Sequence, residues 1–494
     1  MSIPKATNIH RLLLILVLLI ISQQVSNAQL EKGKDFSYNI DFGAIIKPIN
    51  DSLFCYYGYN SSKGSENLFQ ITVVDSSYKE VATREFLIDK KLRLTKICIS
   101  DGTIRFVAHG KKKAEFYVWD YFNDRLNKRS WTLENKVKIL KAYSSNESLV
   151  IVSSIKNDVV VVEVASLGQQ ELIFHRDSLE NQVLFGIDYH DKLDKYSLVT
   201  KEFNSGDAIL RIKIMSNEFR KISQSELSYK QGKYRLNEYK LRLLSENNFF
   251  IYGKYAGPES LSSSGVFIGE NRQGTWKYFK LLDFDKFENF HKANVGCHEF
   301  GQVVRNRNKA KTKGREYETE VDYLLHDVLV TDKGVFLSGE VYFKRYEQVA
   351  RTRTINGQTV TEWVREFQGY VYSHLFIVGI DEEGKKTMDD TYNIDFLSPR
   401  LNQRISFIYD ESSYFIIDYQ KGIRKLIPFD YKSIHFEKVK NIIFEEEKLE
   451  IKKIPYKTAL WHDFVFIEFS DVKEKSKGKL LSNTISKIST IKIK

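Results

Sequence analysis

The chain has 494 residues, 42% hydrophobic and 28% charged, and its 75 Lys and Arg outnumber 64 Asp and Glu for a formal net charge of +11. That length allows two or three ordinary domains, or one large domain built from repeats. The charged fraction excludes a membrane-embedded bulk, and the six prolines exclude long Pro-rich linkers.

At the N-terminus, Lys5, His10 and Arg11 precede the apolar run Leu12 to Ile21, followed by Ser26-Asn27-Ala28 and then Gln29. A charged start, a short apolar stretch and a small-residue cleavage site predict a signal peptide over 1–28, cut after Ala28. The mature protein is then secreted or periplasmic. An apolar run of about ten residues is too short to span a bilayer stably, so no transmembrane segment is expected in the mature chain. The Ala-Gln junction resembles the export signals common in Bacteroidota. No cysteine follows it, so a lipid anchor on a new N-terminal Cys is not indicated. Cys55, Cys98 and Cys297 are odd in number and widely spaced, which argues against a disulfide framework and leaves one bridge or three buried thiols.

From about residue 36 one unit recurs: a strand, a tight polar turn, a second strand, a variable loop and another hairpin. The first turn of each unit falls at Asn50-Asp51-Ser52, Ser100-Asp101-Gly102, Ser145-Asn146-Glu147, Asp191-Lys192, Glu246-Asn247-Asn248, Asp332-Lys333-Gly334 and Asp410-Glu411-Ser412. These residue types tolerate turn dihedrals or bond their own backbone, so they end strands for a physical reason. A β-rich run follows each turn, such as Leu53 to Tyr57, Phe249 to Tyr252 and Val335 to Leu337. The period is roughly 45 to 55 residues, within the range of propellers and arrays.

On these turns and runs the chain over 29–494 resembles an all-β β-propeller of about seven four-stranded blades. Eight is the alternative, because Ile442 to Phe444, Phe464 to Ile467 and Thr484 to Ile493 also read as strands, the last as a closing one. Lys473 to Lys479 reads as a loop. Neither a Trp-Asp repeat nor a kelch Gly-Gly doublet is present. Gly274-Thr275-Trp276 is similar to the sialidase Asp-box, but Arg272 stands where its aspartate belongs.

Two insertions interrupt the repeat and are expected as basic loops. The first, about 291–320, carries Arg305, Arg307, Lys309, Lys311, Lys313 and Arg315. The second, about 344–368, carries Arg345, Arg351, Arg353 and Arg365 with Tyr346 and Trp363. The first would join the outer strand of one blade to the inner strand of the next, and the second the middle strands of that next blade. In an antiparallel blade both emerge on one face, so the two would be neighbours. Together they would form a cationic shelf with aromatic side chains for a protein or an acidic glycan, or else a solvated pair of loops.

No reading motif accompanies the excess of Lys and Arg, so nucleic acid is not an expected partner. His291, Cys297, His298 and Glu299 lack metal-ligand spacing, and the expectation there is a buried Cys and an exposed His. Trp461-His462-Asp463 has no nucleophile to serve and reads as a strand end. No catalytic residue, metal or cofactor is assigned. The leading expectation is a secreted binding or assembly module acting through its loop-rich face. The alternative is a propeller enzyme acting on polysaccharide, with carboxylates around a central channel. A structural component of the cell envelope is a third reading.

Overall fold

A computed structural model describes residues 30–38 and 42–493 apart from short connecting stretches, the longest being 443–457, and describes side chains, with gaps, between residues 47 and 405. The signal-peptide residues, His462 and Asp463 lie outside the described residues. Among the described residues the strands form eight antiparallel sheets. In chain order the first seven lie within residues 42–89, 93–132, 138–179, 182–228, 230–283, 322–398 and 405–442. The eighth joins Thr458–Trp461, Phe464–Ser476 and Lys479–Ile493 to the N-terminal strand Leu30–Tyr38, which pairs with the last of them. Trp461 accordingly ends a strand.

Strand bounds place six of the seven expected turns between the first and second arms of a sheet, and the seventh, at 246–248, between the second and third strands of the fifth sheet. Of those turn residues, 51, 101, 145–147, 191–192, 332–333 and 411–412 lie outside the described residues. Where the turns are described, the chemistry is local. Asn50 Oδ1 accepts from the backbone N–H of Ser52 and Leu53, both at 2.9 Å. A second signature recurs after the third strand. Asp75 accepts from the N–H of Ser77 and Lys79 at 2.9 Å, and Asp381 from those of Glu383 and Lys385 at 2.9 and 2.8 Å. An aspartate bonding the backbone two and four residues on closes the outer hairpin, so a short polar cluster suffices to end a strand.

The residues group into two compact units, one made of the first and eighth sheets and the other of the second to seventh. Within the second unit, apolar faces of consecutive sheets meet. Val107 and Phe116 of the second sheet pack with Ile139 and Ile151 of the third. Phe249 and Phe267 of the fifth pack with Leu210 and Ile212 of the fourth. Burial on both faces explains why the central strands read as continuous apolar runs instead of an alternation. Consecutive antiparallel sheets of four or five strands, their apolar faces meeting, with an N-terminal strand completing the last, have the topology of a β-propeller. The fold is all-β and of that class.

Three expectations are corrected. The stretch Lys473 to Lys479 is strand as far as Ser476. The first insertion is no loop but holds the α-helix His298–Thr312. The second is no loop either: the strands Gly334–Ile355 and Gln358–Ile380, of 22 and 23 residues, run straight through it as one long hairpin. Cys55, Cys98 and Cys297 are buried and in no disulfide, and burial pushes Cys55 up to about 12 against an opposing effect of Lys47. Among the described residues no helix is long and apolar enough to cross a membrane.

Candidate functional site

The outer strand of the fifth sheet, Thr275–Asp283, ends in a segment whose three phenylalanines all turn inward. Phe284, Phe287 and Phe290 are buried against Tyr323 and Phe376 of the sixth sheet. Two carboxylates fix the path. Asp389 accepts from the backbone N–H of Glu288 and Asn289 at 3.0 and 2.7 Å. Asp285 accepts from Arg307 Nε at 2.9 Å, from Thr319 N at 2.8 Å and from Thr319 Oγ1 at 2.8 Å, with His291 Nε2 at a longer 3.5 Å. Burial opposes ionisation of Asp285, but the bonds from His291, Thr319 and Arg307 outweigh it and hold the carboxyl well below its ordinary range. One side chain thus ties together the start, middle and end of the insertion.

The helix forms because Phe300, Val303, Val304 and Arg307 recur at helical spacing and give it one buried stripe. It stops where Gly314, at φ +63°, lets the chain reverse. There Arg315 N donates to Ala310 O and Gly314 N to Lys311 O, both at 3.0 Å, which is the paired Schellman closure. Lys309 and Lys311 in its last turn face the negative end of the helix dipole.

The long hairpin of the sixth sheet leaves its neighbours behind. Asp322–Leu325 pairs only as far as Tyr342, and Lys386–Ser398 only as far as Tyr370. Beyond those points the two strands continue alone, paired to Ile355 and Gln358, as a ribbon of roughly 40 Å at the usual rise per residue. We call it the arm. Gly369 stands at the point of departure, at φ +142°, and a Cβ there would lie 2.4 Å from Ser398 O, so only glycine fits.

Alternation along the arm sorts its side chains. One face carries Phe343, Arg345, Glu347, Val349, Arg351 and Arg353 opposite Glu366, Val364, Glu362 and Val360. Phe343 packs into the cluster that holds Phe300, and Arg345 meets Glu299 at two points, Nε–Oε1 at 3.0 Å and Nη2–Oε2 at 3.2 Å. This is the face toward the helix. The other carries Tyr342, Lys344, Tyr346, Gln348 and Ala350 opposite Tyr370, Phe367, Arg365 and Trp363. Its rings touch in series: Tyr342 with Tyr370, Tyr370 with Phe367, and Phe367 with Tyr346, at centroid distances of 5.6, 5.1 and 5.5 Å.

The two insertions are therefore neighbours, as expected from the strand order, but their expected residues part company. Arg305, Lys309, Lys311, Lys313 and Arg315 are exposed on or just beyond the helix and form no ion pair among the described residues. Arg307 is spent on Asp285 and Arg345 on Glu299. Arg351 and Arg353 reach Glu366 and Glu362 at 3.4 and 3.2 Å across the ribbon. Arg365 lies over the Tyr346 ring at 4.2 Å, and Trp363 is 68% exposed. Trp363, Tyr346 and Arg365 stand on the face turned away from the helix, so among the described residues these aromatics and the helix cations lie on different faces.

Cys297 is buried and His298 exposed at the start of the helix, and among the described residues no group of three metal-ligating side chains is arranged to hold an ion. Sequence reasoning passed over His374, which is buried between Phe290 and Phe300 with Ser373 Oγ at 3.0 Å from Nδ1. Burial, and then the nearby His291, push it down to about 3. The ring series was not legible either: Tyr342 and Tyr346 sit at strand spacing, but Phe367 and Tyr370 are three residues apart and share a face only through a register shift in the hairpin.

No protein-family model matches the chain, and neither does any curated protein. Among solved structures it is similar to the WD40 domain of SCAP from fission yeast, at 8% identity and TM-score 0.42 over 94% of this chain and 98% of that one. It is similar to the Dos1 propeller at 9% identity and TM-score 0.42, over 93% and 95% of the two chains. It is similar to the polysaccharide lyase Uly1 at 10% identity and TM-score 0.35, over 81% and 89%. At such identities and scores these likenesses carry no function to this chain.

Proposed function

We propose that the chain is an exported binding module that recognises a polyanionic partner through the helix between the fifth and sixth sheets. The observation behind this reading is a set of five exposed cations, Arg305, Lys309, Lys311, Lys313 and Arg315, that no carboxylate neutralises among the described residues. Arg305, Lys309 and Lys313 recur every fourth residue and so lie along one helix face. Elsewhere exposed cations occur both in pairs, as in Arg351 with Glu366 and Lys240 with Asp327, and singly, as in Arg125 and Lys221; these five are set apart by standing together within residues 305–315. The helix is also held firmly, by Phe300 in the core, Arg307 on Asp285 and Glu299 on Arg345. A rigid row of unpaired cations presents a fixed potential that attracts a polyanion over about a Debye length and loses little entropy on binding it.

The test is retention of the full chain on a heparin resin, compared with the variant Arg305→Glu, Lys309→Glu, Lys313→Glu. These side chains are exposed and make no internal bond, so the variant keeps the fold. The wild-type chain is expected to elute at higher salt, with an affinity for free heparin about tenfold or more above that of the variant. Equal elution of the two would remove the helix as the binding element.

A further inference from the structure

The arm has a second face that the helix does not share. Past Tyr342 and Tyr370 neither edge of the ribbon has a strand beside it among the described residues. An isolated two-stranded ribbon is marginal in water, and an open strand edge is a template for another strand. Along this length Trp363, Tyr346 and Phe367 are 68%, 41% and 41% exposed, far more large apolar surface than a lone ribbon keeps without a use. Trp363 stands opposite Ala350, a side chain too small to cover the indole.

We infer that the arm docks an extended segment of a partner protein, added as a third strand along its open edge, with apolar side chains on Trp363 and Phe367 and an acidic one on Arg365. The inference rests on the binding reading above and names the class of partner. Trp, Tyr and Arg are the residue types that dominate protein interfaces, and here all three stand together on an uncovered face. A glycan is disfavoured, because its hydroxyls need dense hydrogen bonding and the polar side chains beside the rings of this face are few, Lys344, Gln348, Thr352, Thr361 and Arg365. A second copy of the chain is disfavoured by charge. Residues 344–368 hold five cationic against three anionic side chains, and the adjacent helix adds more of the same sign. An acidic segment is the complement of that balance. Strand addition would also satisfy the arm's outward backbone groups, giving affinity from the main chain and selectivity from alternate side chains.

The probe is a set of synthetic peptides of about twelve residues, long enough to follow the arm, in which Val or Phe alternates with Glu. The controls are the same peptides with proline at every third position, which cannot pair as strands, and a heparin oligosaccharide. Amide hydrogen exchange on the full chain is expected to slow by about tenfold or more within 344–368 with an alternating peptide and not with the proline controls. Trp363→Ala with Phe367→Ser should weaken that peptide about tenfold or more, while exchange in the sheet core stays unchanged. The helix variant Arg305→Glu, Lys309→Glu, Lys313→Glu should still take the peptide on the arm. Three results would overturn the inference: no slowing in the arm with any alternating peptide, equal binding by the Trp363 and Phe367 variant, or slowing in the arm produced by the oligosaccharide alone. If heparin retention depends on the helix while the peptides leave the arm untouched, the polyanion reading stands and the docking segment falls.

Discussion

Half-buried Asp285 and fully buried His374 both ionise at a lower pH in the folded chain than in the unfolded one, so each makes stability fall as the pH falls. Asp285 joins the start of the insertion to Arg307 in its helix and to Thr319 at its end. Asp285→Asn would leave Arg307 facing a neutral group in a half-buried place, and urea unfolding should show a loss of about 3 kcal/mol. Because the folded carboxyl ionises more readily than the unfolded one, its contribution is present above pH ~4 and fades as the pH falls below that. The Asn variant should lack that part of the acid fade. His374 titrates at about 3 when folded and near 6.5 when unfolded, so the unfolded chain takes up the proton first as the pH drops. Stability should then decline from pH ~6.5 downward by up to ~1.4 kcal/mol per pH unit from this residue. Replacement by Phe, which suits a site between Phe290 and Phe300, is expected to flatten that slope. An unchanged slope would mean that His374 is not held neutral by burial.

At the scale of elements, the helix and the base of the arm are joined by Phe343 against Phe300 and by Arg345 on Glu299. The two-point contact of Arg345 with Glu299 is partly exposed, so its strength lies between that of a surface pair and a buried one. A double-mutant cycle with Arg345→Ala and Glu299→Ala should return a coupling of about 1 kcal/mol. A coupling of zero would mean that the ion pair adds nothing to holding the neighbours adjacent. That adjacency was legible from strand order, because a link between blades and a link between middle strands leave an antiparallel sheet on the same side. The forms of the two links were not read, although signals for both are present. Phe300, Val303, Val304 and Arg307 carry a helical period, but the alternating Lys and Arg beyond them resemble a solvated run. The arm hides better. Both of its faces meet solvent past Tyr346, so no apolar period of two marks it, and only Asn356-Gly357 between β-rich runs signals a hairpin. The contact of Arg345 with Glu299 spans 46 residues and leaves no local trace.

For the whole molecule, local turn chemistry made the fold readable. Asn, Asp, Ser and Gly clusters end strands wherever they fall, and a repeat of such ends spaces out sheets without any knowledge of their packing. The eighth sheet was read only in part, because Leu30–Tyr38 completes it from the far end of the chain. Charge was the less informative signal. A formal net charge of +11 is spread over the sequence, and the structure separates cations spent on Asp285, Glu299, Glu362 and Glu366 from the five on or just beyond the helix that have no ion pair among the described residues. Binding by that open set is measured most directly by lysine acetylation footprinting of the full chain, with and without poly-L-glutamate. Lys309, Lys311 and Lys313 are expected to be protected severalfold while the exposed Lys90 and Lys91 react as before; protection spread evenly over the surface, or found elsewhere with the helix unprotected, would contradict it.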